Sequence, residues 1–200
     1  MRAEARVGRN HPTYLRRDAL RLRAGLCASL LAVFVCGASP AGQVPGAEQQ
    51  LKAAFVSKFP QFTEWPESTL SGRQQIELCV AIPNPFGTSL RELTEGERLG
   101  SRPLVVRTVD SPQDLESCQL LFLPAGPPSE RKILLDGART LPILTVGDAP
   151  TFIEEGGMVA LRMVGGRVRF EINVNAANQV GLRLSSQLLQ LALSVRSGTA

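Results

Sequence analysis

Histidine and tyrosine are almost absent from this chain of 200 residues. Its one histidine, His11, and its one tyrosine, Tyr14, both lie near the amino terminus. Both belong to residues 1–41, a segment with the features of a cleaved export signal. The mature protein is therefore predicted to contain no histidine, which excludes mechanisms that need a histidine base or a histidine metal ligand.

Motifs for catalysis and cofactor binding are also lacking. The Gly-Gly pairs at 156–157 and 165–166 do not follow a strand and open a long helix, as a dinucleotide-binding loop requires. Ser185 and Ser186 have no histidine partner, and no serine stands in a glycine-flanked elbow. Spacings typical of metal ligands do not occur. The sequence predicts no catalytic residue, no metal and no cofactor, although an enzyme that uses Asp or Glu alone stays open.

Long apolar runs are lacking as well. The apolar run at 24–36 is short of the roughly 20 residues that a membrane helix needs. Arginines at positions 16, 17, 21 and 23 lie just before this run and small residues up to Ala41 follow it, which is the pattern of a secretory signal peptide. We predict a signal peptide over residues 1–41, cleavage near Ala41 and a periplasmic location. An uncleaved anchor helix is the alternative.

The positive charge of the chain belongs mainly to this segment. Residues 1–41 hold seven of the 22 basic residues and two of the 18 acidic ones, which leaves 15 basic and 16 acidic residues for the mature part. Nucleic-acid binding needs clustered Lys and Arg. A nucleic-acid partner is therefore not predicted.

Strand and helix patterns alternate through residues 42–200. Apolar alternation predicts four strands, and a period near 3.6 predicts helices between them. A two-stranded hairpin and two helices follow. The strands are predicted at 75–82, 104–109, 119–123 and 142–146, the hairpin at 158–163 and 167–172, and the helices at 48–62, 85–93, 113–117, 130–138 (capped by Ser129), 149–155, 174–180 and 185–195. This order predicts a single α/β domain of three layers, with a mostly parallel sheet flanked by helices and a C-terminal antiparallel hairpin at one edge.

Cys79 and Cys118 are the cysteines that remain in the mature part. An even pair in an exported protein predicts a disulfide. Cys79 lies in the first predicted strand and Cys118 just before the third, and these strands are neighbours in the common 2-1-3-4 order. Two buried free thiols are one alternative. A redox-active pair is another, but such pairs are closely spaced.

Three further residues are candidates for binding. Trp65 is the only tryptophan; it either covers the core beside Phe59 and Phe62 or anchors an interface, where tryptophan is enriched. Glu171 alternates with core-facing residues of its strand, and Arg183 lies beyond the next helix. The two are either solvated or line a pocket at the hairpin edge for an amphoteric small molecule.

Several motifs occur in a fixed order through residues 48–195. They are LKAAF at 51–55, FTEWP at 62–66, FLP at 122–124, ILTVGD at 143–148, GM followed by FEIN between 157 and 173, and GL followed by SSQLL between 181 and 189. Their order and spacing resemble the YfiR family of secreted bacterial regulators.

The resemblance implies a non-enzymatic periplasmic regulator of α/β fold that forms a homodimer. Its partner would be the periplasmic part of a membrane diguanylate cyclase, or of a sensor kinase. Repression of the cyclase lowers cyclic di-GMP signalling and biofilm formation, and an outer-membrane lipoprotein can sequester the repressor.

The resemblance also carries residue roles. Cys79 and Cys118 match the spacing of the family's structural disulfide, whereas Ile153 and Ala160 stand where a second disulfide is found. Glu171 and Arg183 fall where the family holds small aromatic ligands, but Ser185 replaces the histidine expected there. Two other functions stay open: a small-solute sensor that uses Glu171 and Arg183, and a thiol oxidoreductase.

Overall fold

The computed structural model describes residues 46–198 of the chain. The predicted signal peptide, residues 1–41, lies outside the described residues and stays a prediction. Among residues 46–198, no helix combines the length and the apolar character needed to cross a membrane.

Helices and short strands alternate along the described residues. The strands are β1 (Thr63–Glu64), β2 (Ile76–Ala81), β3 (Arg98–Leu99), β4 (Arg102–Val109), β5 (Cys118–Leu123), β6 (Leu144–Gly147), β7 (Val159–Val164), β8 (Arg167–Asn173), β9 (Arg183–Leu184) and β10 (Ser194–Arg196). The helices are α1 (Ala47–Lys58), α2 (Glu67–Leu70), α3 (Ser89–Thr94), α4 (Pro128–Ala138), α5 (Val174–Gln179) and α6 (Ser186–Leu191), with 3-10 turns at Phe59–Phe62 and Pro112–Ser117.

Within residues 46–198, eight of these strands form one sheet in the order β10-β8-β7-β6-β5-β2-β4-β3. The strands β4, β2, β5, β6 and β7 are parallel to one another, and β7 and β8 form the antiparallel hairpin. The remaining two, β1 and β9, form a separate antiparallel pair. The predicted fold class and the 2-1-3-4 order of the four central strands are confirmed.

The central strands are apolar on both faces because both faces are covered. In β5, Leu120 and Phe122 point into a core that α1 and α3 cover, whereas Leu121 and Leu123 point into a second core that α4 covers. Strands buried on both faces in this way read as continuous apolar runs. The sheet is therefore the middle of three layers.

Two predicted helices take another form. Residues 149–155, predicted as a helix, form successive turns, because the run between Pro150 and Gly156 is too short to nucleate a stable helix. The predicted helix 185–195 ends at Leu191, and residues 194–196 instead pair with β8 in parallel. Without β10, the backbone N–H and C=O groups on the outer edge of β8 would have no partner. The need to pair these groups is why residues 194–196 form a strand and do not continue the helix.

The predicted cap of α4 is also wrong. The helix begins at Pro128, with Pro127 as its N-cap and no side-chain cap hydrogen bond, so Ser129 lies inside the first turn. Proline at the first helical position is already in the helical range of φ and has no N–H to satisfy. The prolines therefore set this helix start, and no serine hydroxyl is required.

Candidate functional site

An apolar groove lies between α1 and α6. Its main lining residues are Phe55, Phe59, Phe62, Phe170, Leu188 and Leu191, and its volume is about 220 Å³. We call it the phenylalanine groove. The ring of Phe170, on β8, makes edge contacts with Phe55 and Phe59 at centroid distances of 6.1 and 5.6 Å.

The sequence of α1 explains why the groove is apolar. Phe55 and Phe59 are four residues apart, so both lie on one side of the helix. Ala53 and Val56 are buried beneath them in the first core. Among the lining residues, Leu191 is 61% exposed. Large apolar side chains grouped at a surface are typical of protein-interaction sites.

Trp65 lies in the core next to this groove. It is 8% exposed and belongs to the same apolar cluster as Phe59 and Phe170. Its indole N–H is buried and has no hydrogen-bond partner among the described residues. This placement corresponds to the core role of the two roles considered for Trp65, and its use as an interface anchor stays a prediction.

Glu171 lies on β8, half-buried, on the sheet face opposite Phe170. Its carboxylate accepts a hydrogen bond from Nη2 of Arg162 at 3.0 Å. The same guanidinium group donates to the carbonyl oxygens of Ala149 and Pro150 at 2.8 and 2.9 Å. Arg162 therefore ties the hairpin to the turns at 149–155, a contact that the sequence did not reveal.

Arg183 is exposed on β9, opposite Glu64 of β1. Its neighbours Leu182 and Leu184 pack into the first core, on the Phe170 side of the sheet. The structure therefore does not bring Glu171 and Arg183 together, since the sheet separates them. Small-molecule binding by either residue stays a prediction.

The structure adds a buried ion pair that sequence reasoning missed. Nζ of Lys52, on α1, lies 2.7 Å from Oδ2 of Asp148, and the two side chains are 7% and 8% exposed. Burial alone would lower the pKa of Lys52, but hydrogen bonds and charges from Asp148 and Glu48 outweigh it and raise that pKa. Asp148 also accepts a hydrogen bond from the backbone of Ala125. The pair therefore connects α1 to the loops after β5 and β6.

Replacing Lys52 with methionine should lower the free energy of unfolding by about 3 kcal/mol, because Asp148 is left buried without its cation. The raised pKa of Lys52 sets how the stabilisation by this ion pair depends on pH. The contribution of the pair is fully present below pH 10.5 and is lost as the pH rises through the folded-state pKa. Urea unfolding at neutral and at alkaline pH measures both effects.

Lys58→Met is the matched control, since Lys58 lies on the same helix and pairs with Glu97 while 50% exposed. Exposed pairs contribute less than about 1 kcal/mol. Equal losses in the two variants would contradict the role assigned to Lys52.

A second buried cation lies at the start of α4. Arg131 donates two hydrogen bonds to Glu155, at 2.8 and 2.7 Å, and its side chain is 5% exposed. These hydrogen bonds lower the pKa of Glu155, and they outweigh burial, which acts to raise it. Arg131 also lines a mostly apolar crevice of about 340 Å³ at the carboxyl ends of β2 and β5, where open α/β sheets commonly bind ligands. Because Arg131 is paired with Glu155, the part of the crevice formed by residues 46–198 offers no free guanidinium group to a ligand.

The structure contains the predicted disulfide between Cys79 and Cys118, with 5.8 Å between their Cα atoms. Both residues are buried in the second core. The guanidinium group of Arg107 covers the bond and pairs with Glu77 at 3.1 Å. Burial raises the pKa of Glu77, but Ser117, Gln75 and Arg107 outweigh it and lower that pKa. A disulfide buried in this way is poorly placed for thiol exchange.

Among residues 46–198, no group of three or more His, Cys, Asp or Glu side chains is placed to hold a metal ion. The described acids with resolved pKa shifts all have their pKa lowered, by cationic or hydrogen-bonding neighbours. General acid–base catalysis near neutral pH calls for the opposite shift in a carboxyl group.

Residues 49–193 match the model of a protein family described as YfiR/HmsC-like. The matched range runs from α1 to α6 and includes the disulfide and the phenylalanine groove.

Two solved structures are similar to 74% of this chain, and the chain spans about 60% of the length of each. One is described as a conserved domain protein from Vibrio cholerae O1 biovar El Tor strain N16961, with 14% sequence identity and a TM-score of 0.47. The other is described as the ABC domain in complex with L-Trp from Streptococcus pneumonia, with 11% identity and a TM-score of 0.48. Likenesses this distant carry no argument about what this chain binds.

Proposed function

Because this chain belongs to the YfiR/HmsC-like family, we propose that it is a periplasmic, non-enzymatic regulator that binds and represses a membrane-bound signalling enzyme. The enzyme is a diguanylate cyclase, and repression lowers cyclic di-GMP signalling and biofilm formation. The family match over residues 49–193 is the observation that carries this proposal. A homodimeric state and release by an outer-membrane lipoprotein belong to the same proposal.

The phenylalanine groove is the surface that we assign to the cyclase. Leu191 exposes apolar area in this groove, and burying such area against a partner contributes roughly 25 cal/mol per Å². Aromatic side chains within the groove offer pockets for apolar anchors of the partner. The periplasmic sensor part of the cyclase would supply these anchors.

Leu191→Asp should weaken cyclase binding about tenfold or more, because a buried aspartate without a partner opposes the contact. The measurement is capture from a detergent extract of the membranes of the source bacterium, with the cyclase identified by its peptides and its activity. Ile133→Asp is the control: Ile133 is 58% exposed on α4, outside the groove.

Capture of a cyclase by the wild-type protein and by Ile133→Asp, but not by Leu191→Asp, supports both the partner and the surface. Retention of the cyclase by all three proteins would remove the groove from the proposal. If no cyclase is retained by the wild type, the proposed function itself is wrong.

A further inference from the structure

The structure has a further cavity besides the phenylalanine groove and the crevice lined by Arg131. It lies on the side of the molecule opposite that crevice. It has a volume of about 180 Å³ and lies between the end of α4, the Gly156 turn, α5 and β10. Among the described residues, the charged ones that line it are Arg139 and Arg196, and none of the lining residues is an acid. We call it the arginine cavity.

The two arginines are held at the mouth of this cavity by weak partners. Arg139 donates to Asp136 at 3.0 Å and Arg196 to Glu154 at 3.5 Å, and both side chains are more than half exposed. Exposed pairs of this kind contribute little. The guanidinium groups therefore remain available to a stronger acceptor in the cavity.

Gly156 shapes the wall beneath Arg139. Its φ is +98°, and a Cβ atom at this position would lie 3.7 Å from both terminal nitrogens of Arg139. The guanidinium group thus lies against the backbone of the Gly-Gly-Met segment. The positive φ, not the contact with Arg139, is what favours glycine at position 156.

Two largely buried residues carry polar groups that can donate into the cavity. Asn173 is 8% exposed; its Oδ1 accepts from the N–H of Ala176, and its Nδ2 makes no hydrogen bond within residues 46–198. Thr145 is 2% exposed, and its hydroxyl oxygen accepts from the N–H of Met158, which leaves the hydroxyl proton to be donated. Asn175 and Gln179 complete the polar part of the lining.

Two cations and two donor groups of largely buried residues line a cavity to which residues 46–198 contribute no acid. Guanidinium groups bind carboxylates and phosphates through paired, charge-assisted hydrogen bonds. We propose that the arginine cavity is a binding site for a small oxyanion, a carboxylate or a phosphate ester. This site is separate from the phenylalanine groove, so its failure would leave the proposed function untouched.

The test is calorimetric titration of the purified protein with succinate and, separately, with inorganic phosphate. We expect binding of at least one of them with a Kd of about 1 mM or tighter. Arg139→Gln and Arg196→Gln should each weaken that binding about tenfold. Arg167→Gln is the matched control, since Arg167 is exposed on β8 and does not line the cavity.

Binding of succinate alone would identify a carboxylate ligand, and binding of phosphate alone would identify a phosphate ligand. The proposal is overturned if neither anion binds. It is equally overturned if Arg139→Gln and Arg196→Gln bind as tightly as Arg167→Gln, because the heat would then come from the general surface.

Discussion

Replacing Gly157 with alanine should lower the free energy of unfolding by more than about 4 kcal/mol, or prevent folding. A Cβ atom at this position would lie 2.7 Å from Cζ of Phe152 and closer still to two other ring atoms. The ring cannot move away, because its other side lies against Gly147, where a Cβ atom would be 2.6 Å from it. Phe152 is also fully buried.

Urea unfolding measures this effect, with Gly126→Ala as the control. The nearest atom to a Cβ at Gly126 is 3.9 Å away, so that variant should stay within about 0.5 kcal/mol of the wild type. Adding Phe152→Leu to Gly157→Ala should restore part of the loss, since the smaller side chain leaves space. A Gly157→Ala protein as stable as Gly126→Ala would show that the ring does not fill this space.

Cys79→Ala should lower the free energy of unfolding by about 4 kcal/mol in oxidising buffer. The disulfide closes a loop with a sequence separation of 39 residues, and the chain-entropy estimate for a loop of this length gives that magnitude. Alanine is chosen because Cys79 is fully buried among apolar side chains, where a serine hydroxyl would add a cost of its own.

The comparison is thermal and urea unfolding with and without a reductant. The single variant and the Cys79→Ala, Cys118→Ala double variant should be similarly destabilised, and a reductant should bring the wild type close to both. If the wild type loses no stability on reduction while Cys79→Ala does, the lost stability comes from packing and the disulfide contributes little.

Much of the sheet could be predicted because its signals are local. The apolar alternation in β2 and the continuous apolar run of β5 each mark a strand within a few residues. Cys79 and Cys118 then link strands that the 2-1-3-4 order places side by side. The structure has the predicted strand order. Helices that must cover both faces of a parallel sheet leave few possible strand orders.

Other features depend on partners far away in sequence. Lys52 and Asp148 are 96 residues apart, and neither position has a pattern that predicts the other. The apolar spacing near Val195 fits a helix as well as a strand, and only the open side of β8 decides between them. Glu171 and Arg183 looked like one site because a short helix separates them in sequence, but the sheet lies between them.

The strand β10 also has a consequence for solubility. It pairs with Glu171, Ile172 and Asn173 of β8, and beyond these residues the outer edge carries the exposed charges of Arg167 and Arg169. Positive charges at an open edge oppose the addition of a strand from another molecule. Proteolysis before Ser194 would remove β10 and uncover Glu171, Ile172 and Asn173, a part of the edge that carries no positive charge. The trimmed protein should then tend to aggregate through that edge.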